Sequence, residues 1–272
     1  MANFLPMSGI LLTVILIFPC FGATGLCNGV RYDKDIYRCE YGELIGKCRG
    51  KDYYVAYDQC VNGIVVNSTA SSNNSGTFTD NRDGKTYKWV KIGKQTWMAE
   101  NLNYNANGSK CHNNNHANCK KYGRLYNWAT AMGIDAKYNY QSWNGSDIKH
   151  QGICPKGWHL PTKVEWDVLI AAVGGEKTAG RYLKATSGWN YNKGKSGNGT
   201  DAYGFAALPG SCCDGGASGF TGINTIGRCG DWWSASMYDN YEIHDLYMFE
   251  ADDVRRDKAL TTCLLSIRCV KD

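Results

Sequence analysis

The strongest pattern in the chain lies between Thr162 and Gly175. Trp166, Leu169, Ile170 and Val173 recur at i, i+3, i+4 and i+7, which gives one helical face an apolar stripe. Thr162 and Glu165 stand at capping-box spacing before it, and Gly174-Gly175 ends it, because glycine takes the left-handed conformation that closes a helix. The same spacing links Leu125, Trp128, Ala129 and Met132, and predicts a shorter helix over 125–132. Elsewhere the pattern shortens to strands. Short aromatic strands begin at Phe78: Lys85–Ile92 (KTYKWVKI) alternates in part after the turn signal Asp83-Gly84, and Gly93-Lys94 leads into Gln95–Met98, so the region reads as a β-meander. Phe205–Leu208, Trp232–Ser236, Leu246–Phe249 and a closing Leu264–Val270 are the other predicted strands, set among Gly-rich loops. Two helices with short strands and long loops make an α+β fold.

Two regions ahead of this domain have patterns of their own. Ile10–Phe18 (ILLTVILIF) is nine apolar residues, the length of a signal-peptide core and too short to span a bilayer. Residues 1–25 are therefore expected to be an export signal, cut after Gly22 or Gly25, where small residues stand at the −3 and −1 positions. No Lys or Arg precedes the run, and Pro19 disfavours lipid attachment at Cys20. Residues 26–67 hold a two-copy repeat. Cys27-Asn28-Gly29, Tyr32, Cys39 and Gly42 return 21 residues later as Cys48-Arg49-Gly50, Tyr53, Cys60 and Gly63. A unit this short cannot bury a core and must lean on cross-links, with Gly42–Ile45 and Gly63–Val66 as matching hairpin strands. Its four cysteines allow three connectivities. The polar stretch Asn67–Gly76 (NSTASSNNSG) has nothing to bury, which places a flexible linker at 68–77 and the large domain at 78–272.

Composition adds three constraints. At 272 residues with 43% hydrophobic and 12% aromatic residues, the chain is globular, and 32 Gly against 5 Pro fits a loop-rich protein. The net charge of +5 is not gathered into a stripe, so nucleic acid is not an expected partner; Lys120-Lys121 and Arg255-Arg256 read as solvated surface. Removal of Cys20 with the signal leaves 12 of the 13 cysteines, an even number in an oxidising compartment, and six disulfides are expected. Asn-X-Ser/Thr triplets at Asn67, Asn73, Asn107, Asn144 and Asn198 arise easily by chance in so Asn-rich a chain.

Asp83-Gly84-Lys85-Thr86-Tyr87, Gln95-Thr96-Trp97-Met98-Ala99-Glu100-Asn101-Leu102 and Tyr122-Gly123-Arg124-Leu125-Tyr126-Asn127-Trp128 occur in that order. Cys154–Thr162 (CPKGWHLPT), Tyr203-Gly204-Phe205, Leu208-Pro209-Gly210, Trp232-Trp233-Ser234 and Ser266-Ile267-Arg268-Cys269-Val270 follow. From Thr77 to Asp272 the chain resembles the Fibrobacter succinogenes major paralogous domain family. The resemblance implies a branch of the C-type-lectin-like and sulfatase-modifying-factor folds, in which a Leu-Pro-Thr turn opens a helix and the last strand ends in a cysteine. It implies no activity by itself. It also implies a Cys154–Cys269 bond, since lectin-like domains tie a helix cysteine to the last strand. Cys111–Cys119 is expected as a second bond, and adjacent cysteines rarely pair, so Cys212 and Cys213 are expected to reach separately to Cys229 and Cys263.

The Glu-Pro-Asn, Gln-Pro-Asp and Trp-Asn-Asp signatures of calcium-dependent sugar binding are absent, and Glu250, Asp252 and Asp253 read as a solvated acidic turn. Cys111, His112, His116 and Cys119 have the residue types of a zinc site, but export and the poor helix former Asn113-Asn114-Asn115 favour a disulfide-closed loop. Formylglycine-generating enzymes on the related fold use reactive cysteines, which singles out Cys263 and Cys269; a structural disulfide is the preferred reading. No nucleophile elbow or triad pattern appears, and no cofactor or metal is expected. What remains is an excess of rings, 9 Trp and 18 Tyr. Trp189, Tyr191, Trp232, Trp233, Tyr238, Tyr241 and Tyr247 are the candidate ligand contacts, although Trp232-Trp233 also reads as core. The expectation is an exported, non-catalytic module of the cell surface or medium, with no membrane span after signal removal. Its partner is a glycan, plant-cell-wall polysaccharide among them, or else, in a structural or adhesin role, a cell-surface protein.

Overall fold

The computed structural model describes residues 74–272 apart from 193, 211 and 213–225, and within 24–67 it describes the strands. The apolar run of the expected signal lies outside the described residues, as do the bonds of Cys27, Cys39, Cys48 and Cys60.

The N-terminal repeat is a series of hairpins whose registers themselves recur every 21 residues. Strands β1 (Thr24–Cys27) and β2 (Val30–Asp33) pair with Cys27 opposite Val30, and β4 (Glu43–Cys48) and β5 (Lys51–Tyr54) pair with Cys48 opposite Lys51. Likewise β3 (Tyr37–Glu40) meets β4 with Cys39 opposite Leu44, and β6 (Asp58–Val61) meets β7 (Ile64–Asn67) with Cys60 opposite Val65. Because β4 closes the first copy and opens the second, the unit is two hairpins long rather than the one expected. A signal cut after Gly22 leaves β1 whole, whereas one after Gly25 removes half of it.

The large domain is mixed α+β. Its first sheet holds β8 (Ser75–Thr79), β9 (Thr86–Ile92), β10 (Gln95–Met98), β11 (Trp158–His159) and β17 (Val270–Lys271), in the order β11-β17-β10-β9-β8. The expected meander is there, with Gln95 opposite Ile92 across the Gly93-Lys94 turn. One cross-strand row runs Ser75, Val90, Trp97, Val270. The edge strand β8 starts inside the expected linker: Ser75, Gly76 and Thr77 pair with Val90, Trp89 and Lys88. Ser75-Gly76-Thr77 carries no large apolar side chain, Phe78 being the one that packs inward from β8, so composition marked this segment as tether.

A second sheet, β14 (Cys229–Met237), β15 (Glu242–Phe249) and β16 (Val254–Leu260), crosses the middle of the domain. Trp232 and Trp233 point to opposite faces of β14. Trp232 joins a cluster with Trp97, Trp166, Phe205 and Leu246, and Trp233 joins another with Trp128, Trp158, Ile243 and Ile267. Strand β14 thus divides two cores and is buried on both sides. β16 was not anticipated because Val254–Leu260 (VRRDKAL) buries only Val254 and Ala259; Arg255-Arg256 belongs to an edge strand with four exposed residues in a row.

Helix α3 (Lys163–Ala172) matches its pattern: the Thr162 hydroxyl accepts from the Glu165 N–H, the Glu165 carboxylate accepts from the Thr162 N–H, and Trp166, Leu169 and Ile170 are buried. Several other elements depart from expectation. The 125–132 helix is shorter, α2 (Trp128–Met132), because Asn127 caps it and Leu125 and Tyr126 bridge to Lys110 and Leu265 instead. Two further helices appear, α1 (His116–Tyr122), capped by Asn115, and α4 (Glu176–Leu183), which restarts directly after Gly175. Phe205–Leu208 is not a strand, since Ala206 takes φ +50 and only Ala207 forms a bridge. Leu264–Val270 is extended but shares its backbone bonds among Tyr126, Asp231, Trp233, Leu102 and Met98, so only Val270 reaches a ladder. A chain threaded between two cores finds a different partner at each residue, which single-strand alternation does not encode.

Three described disulfides fasten these parts: Cys111–Cys119, Cys154–Cys269 and Cys212–Cys229. Cys263 is disulfide-bonded as well; Cys213, its expected partner or that of Cys229, lies outside the described residues. Cys154 sits in a turn rather than in a helix, bonded to the residue before β17.

Candidate functional site

The seven candidate rings do not form one surface. Trp189, Trp232 and Trp233 are core residues, at 4%, 0% and 0% exposure. Each spends its indole N–H inside: Trp189 on the Ala207 carbonyl at 3.0 Å, Trp232 on Asn101 Oδ1 at 2.8 Å, Trp233 on the Tyr126 carbonyl at 2.7 Å. Buried and paired in this way, none of the three is placed to contact a ligand. A large indole with one donor is accommodated best inside once that donor has a partner. Tyr247 is half-buried and stacks on Phe249 with centroids 5.9 Å apart. Tyr191, Tyr238 and Tyr241 are exposed, at 75%, 54% and 53%.

Tyr238 and Tyr241 belong together, on the turn joining β14 to β15. Asp239 shapes it by accepting from the N–H groups of Tyr241 and Glu242, both at 2.9 Å, and these donors hold its carboxyl below the usual carboxylate range. The Tyr238 ring is fixed from two sides. Lys258 Nζ lies 4.3 Å from its centroid while pairing with Glu242 at 2.6 Å, and His244 meets its edge at 5.2 Å. Burial holds the His244 imidazole below its ordinary pKa, with Lys163 adding to the effect. The result is an exposed ring pair on a hydrogen-bonded turn, with the carboxylates of Asp239 and Glu242 and the Lys258 ammonium beside it. Tyr191 is at the other end of β14, in the hairpin of β12 (Tyr191–Asn192) and β13 (Lys195–Ser196), where Asn190 bonds Gly227.

A concavity of about 580 Å³ opens between α1 and the turn after β10. Its walls carry Lys88, Glu100, Lys120, Lys121 and Asp201, and Asn101 forms part of its floor. Here the motifs that lie far apart in sequence converge: the Ala99-Glu100-Asn101 stretch, Gly123, Gly204 and Leu208 all line it. Gly123 is required, since a Cβ there would stand 2.7 Å from Asn101 Cβ at a φ of +80. Behind the floor lies Arg268, fully buried. Its Nε and Nη2 donate to Asn101 Oδ1 at 3.1 and 2.9 Å, and its other donors reach the Phe205 and Ala206 carbonyls. Those carbonyls face it because the 201–206 loop is folded tightly, Asp201 and Ala206 both at positive φ and joined by an Asp201 Oδ1 to Ala206 N–H bond at 2.7 Å. Burial lowers the Arg268 pKa to about 9 and raises that of Asp201. Sequence reasoning did not single out Arg268; a charged residue in the apolar run Leu264–Val270 was the available signal.

Other singled-out residues fall as follows. Cys111 and Cys119 spend their thiols on each other, with His112 buried and His116 exposed, and among the described residues no three His, Cys, Asp or Glu are placed to hold a metal. Around Glu250, Asp252 and Asp253 the backbone, not the carboxylates, is the binding partner: the buried Lys184 ammonium donates to the Phe249 and Ala251 carbonyls at 3.0 and 2.6 Å. Burial lowers the Lys184 pKa to about 8 against the pull of those acids. Cys263 and Cys269 are both buried and both in disulfides. Besides Arg268 and Lys184, the buried titratable groups His159 and Asp245 carried no signal in the sequence. His159 is clamped between Asp272 and Glu165, each at 2.7 Å. Asp245 lies beside Asp231; burial, then Asp231 and Asp257, push its carboxyl well above the usual range.

Comparison with known proteins gives one family. Residues 90–271 match the family model described as Fibrobacter succinogenes major domain. No curated protein matches the chain, and no solved structure does.

Proposed function

The chain belongs to the Fibrobacter succinogenes major domain family, and from that footing we propose that its large domain is an exported, non-catalytic, C-type-lectin-like module of the cell surface that binds a glycan. The Tyr238–Tyr241 turn carries this reading. Two exposed rings, that of Tyr238 held by Lys258 and His244 and Tyr241 set by the bond from its N–H to Asp239, suit a sugar ring, whose C–H face stacks on an aromatic while its hydroxyls reach neighbouring carboxylates. The lectin-like part is supported by the Leu160-Pro161-Thr162 turn that opens α3 and by the bond from Cys154 to Cys269 at the last strand. Export is supported by the disulfides, which persist in oxidising compartments. No helix of the described residues is long and apolar enough to cross a membrane.

Pull-down on insoluble cellulose and xylan, joined to a glycan array, tests the reading. Retention on at least one surface is expected, and replacing both Tyr238 and Tyr241 by alanine should weaken it about tenfold, since a stacked ring contributes about 0.5–1.5 kcal/mol. A blank array with no retention would sink it.

A further inference from the structure

The groove beside α1 lies apart from the tyrosine turn and differs from it in chemistry. The tip presents rings; the groove presents ammonium groups. We propose that the groove is a second binding site and takes a saccharide bearing carboxylates, whose acid groups meet Lys88, Lys120 and Lys121 while its hydroxyls donate to Glu100 and Asp201. That the ligand is a saccharide rests on the binding-module reading above; that it is anionic rests on the groove alone.

Volume, charge and the pairing of donors with acceptors carry the inference. At about 580 Å³ the groove is within the ordinary range of ligand sites. The side chains of Lys88 and Lys120 form no ion pair or hydrogen bond among the described residues, and Lys121 rests only against the Tyr122 ring, 5.0 Å from its centroid. By contrast, Lys85 at the rim is committed to Asp83 and the Asn103 carbonyl, at 2.8 and 2.7 Å. Uncommitted ammonium groups around one concavity focus a positive potential in it. The floor adds to this, because the charge of Arg268 is met by an amide oxygen and two carbonyls rather than by a hydrogen-bonded carboxylate. The acids that Arg268 does feel are Asp201 and Glu100, both in the groove wall, so these are already shared with a buried cation.

The two wall carboxylates decide the kind of anion. Glu100 accepts from the Lys88 N–H through Oε2, and Asp201 from the Ala206 N–H through Oδ1, so each keeps one oxygen outside these bonds. A bare polyphosphate offers acceptors only and meets those oxygens as repulsion. A hydroxylated acid offers donors to them and acceptors to the lysines, which a uronic-acid oligomer does along its whole length.

Calorimetric titration of the full chain with a galacturonate oligomer tests the proposal, against a neutral glucose oligomer and a polyglutamate of equal length. Wild type should bind the galacturonate, more weakly as salt rises. The combined Lys88→Ala, Lys120→Ala, Lys121→Ala variant should lose about tenfold or more in affinity, while the Tyr238→Ala, Tyr241→Ala variant keeps it. Those three side chains are exposed, so the variant should fold as wild type does. Absence of binding, or binding indifferent to the three lysines, overturns the site. Equal binding of polyglutamate overturns the saccharide assignment. Lysine-dependent binding of galacturonate by a chain that no neutral polysaccharide retains supports the groove even as the tyrosine turn fails.

Discussion

The middle of β14 and the turn that follows it received the same aromatic signal and met opposite fates. Trp232 and Trp233 lie where both faces of the strand are covered, one ring in each core, and each indole N–H is bonded within. A few residues on, Tyr238 and Tyr241 sit beyond the last ladder pair, Met237 with Ile243, where no layer covers them. The difference lies in whether a second layer covers the ring, not in its type. A ring in a doubly covered strand specifies the fold, and a ring one turn beyond the ladder is free to meet a partner.

Removing rings from each region should break that contrast most sharply in the covered one. Trp232→Ala is expected to cost about 3–5 kcal/mol in urea unfolding, from the cavity it opens and the donor it takes from Asn101. Loss of the Cys154–Cys269 bond, with both residues changed to alanine, should cost about 2–5 kcal/mol by the same measurement, since the bond joins residues 115 apart.

A smaller effect of pH belongs to the covered region as well. Burial works against a charge on His159, but Glu165 and then Asp272 outweigh it and raise its pKa above 6.5. Its contribution is thus full below 6.5 and is lost as pH rises through the raised value. Burial likewise opposes the charge on Glu165, yet His159 and the Thr162 N–H hold its pKa below 4.5, so its contribution is full above 4.5 and is lost as pH falls through the lowered value. The clamp is complete between these limits. Melting temperature should decline above pH 6.5 in the wild type and flatten there in His159→Gln. In the uncovered region, Tyr238→Ala and Tyr241→Ala should each change stability by less than about 0.5 kcal/mol, and a larger loss would show that the turn is structural after all.

Much of the scaffold was legible because its signals are local. The Thr162–Glu165 capping box, the Trp166 face and the Gly93-Lys94 hairpin each need only neighbours in sequence, and each stands in the structure. The site was less so. Arg268 is meaningful only beside Asn101 and the Phe205 carbonyl, residues 167 and 63 positions away. Edge strands were the other blind spot, since β8 and β16 bury too little to leave a period-two trace. Lys184, too, looks like any surface lysine until the Phe249 and Ala251 carbonyls close over it.

The row that runs from Ser75 through Val90 and Trp97 to Val270 has a consequence for architecture. Three strand spacings separate its ends, roughly 14 Å, and β8 and β17 run in opposite directions. The polypeptide therefore arrives and departs on one side, like a lamp hung from a single bracket. Such a body can be spliced into the loop of a host protein, or strung in tandem on short spacers, without disturbing its interior.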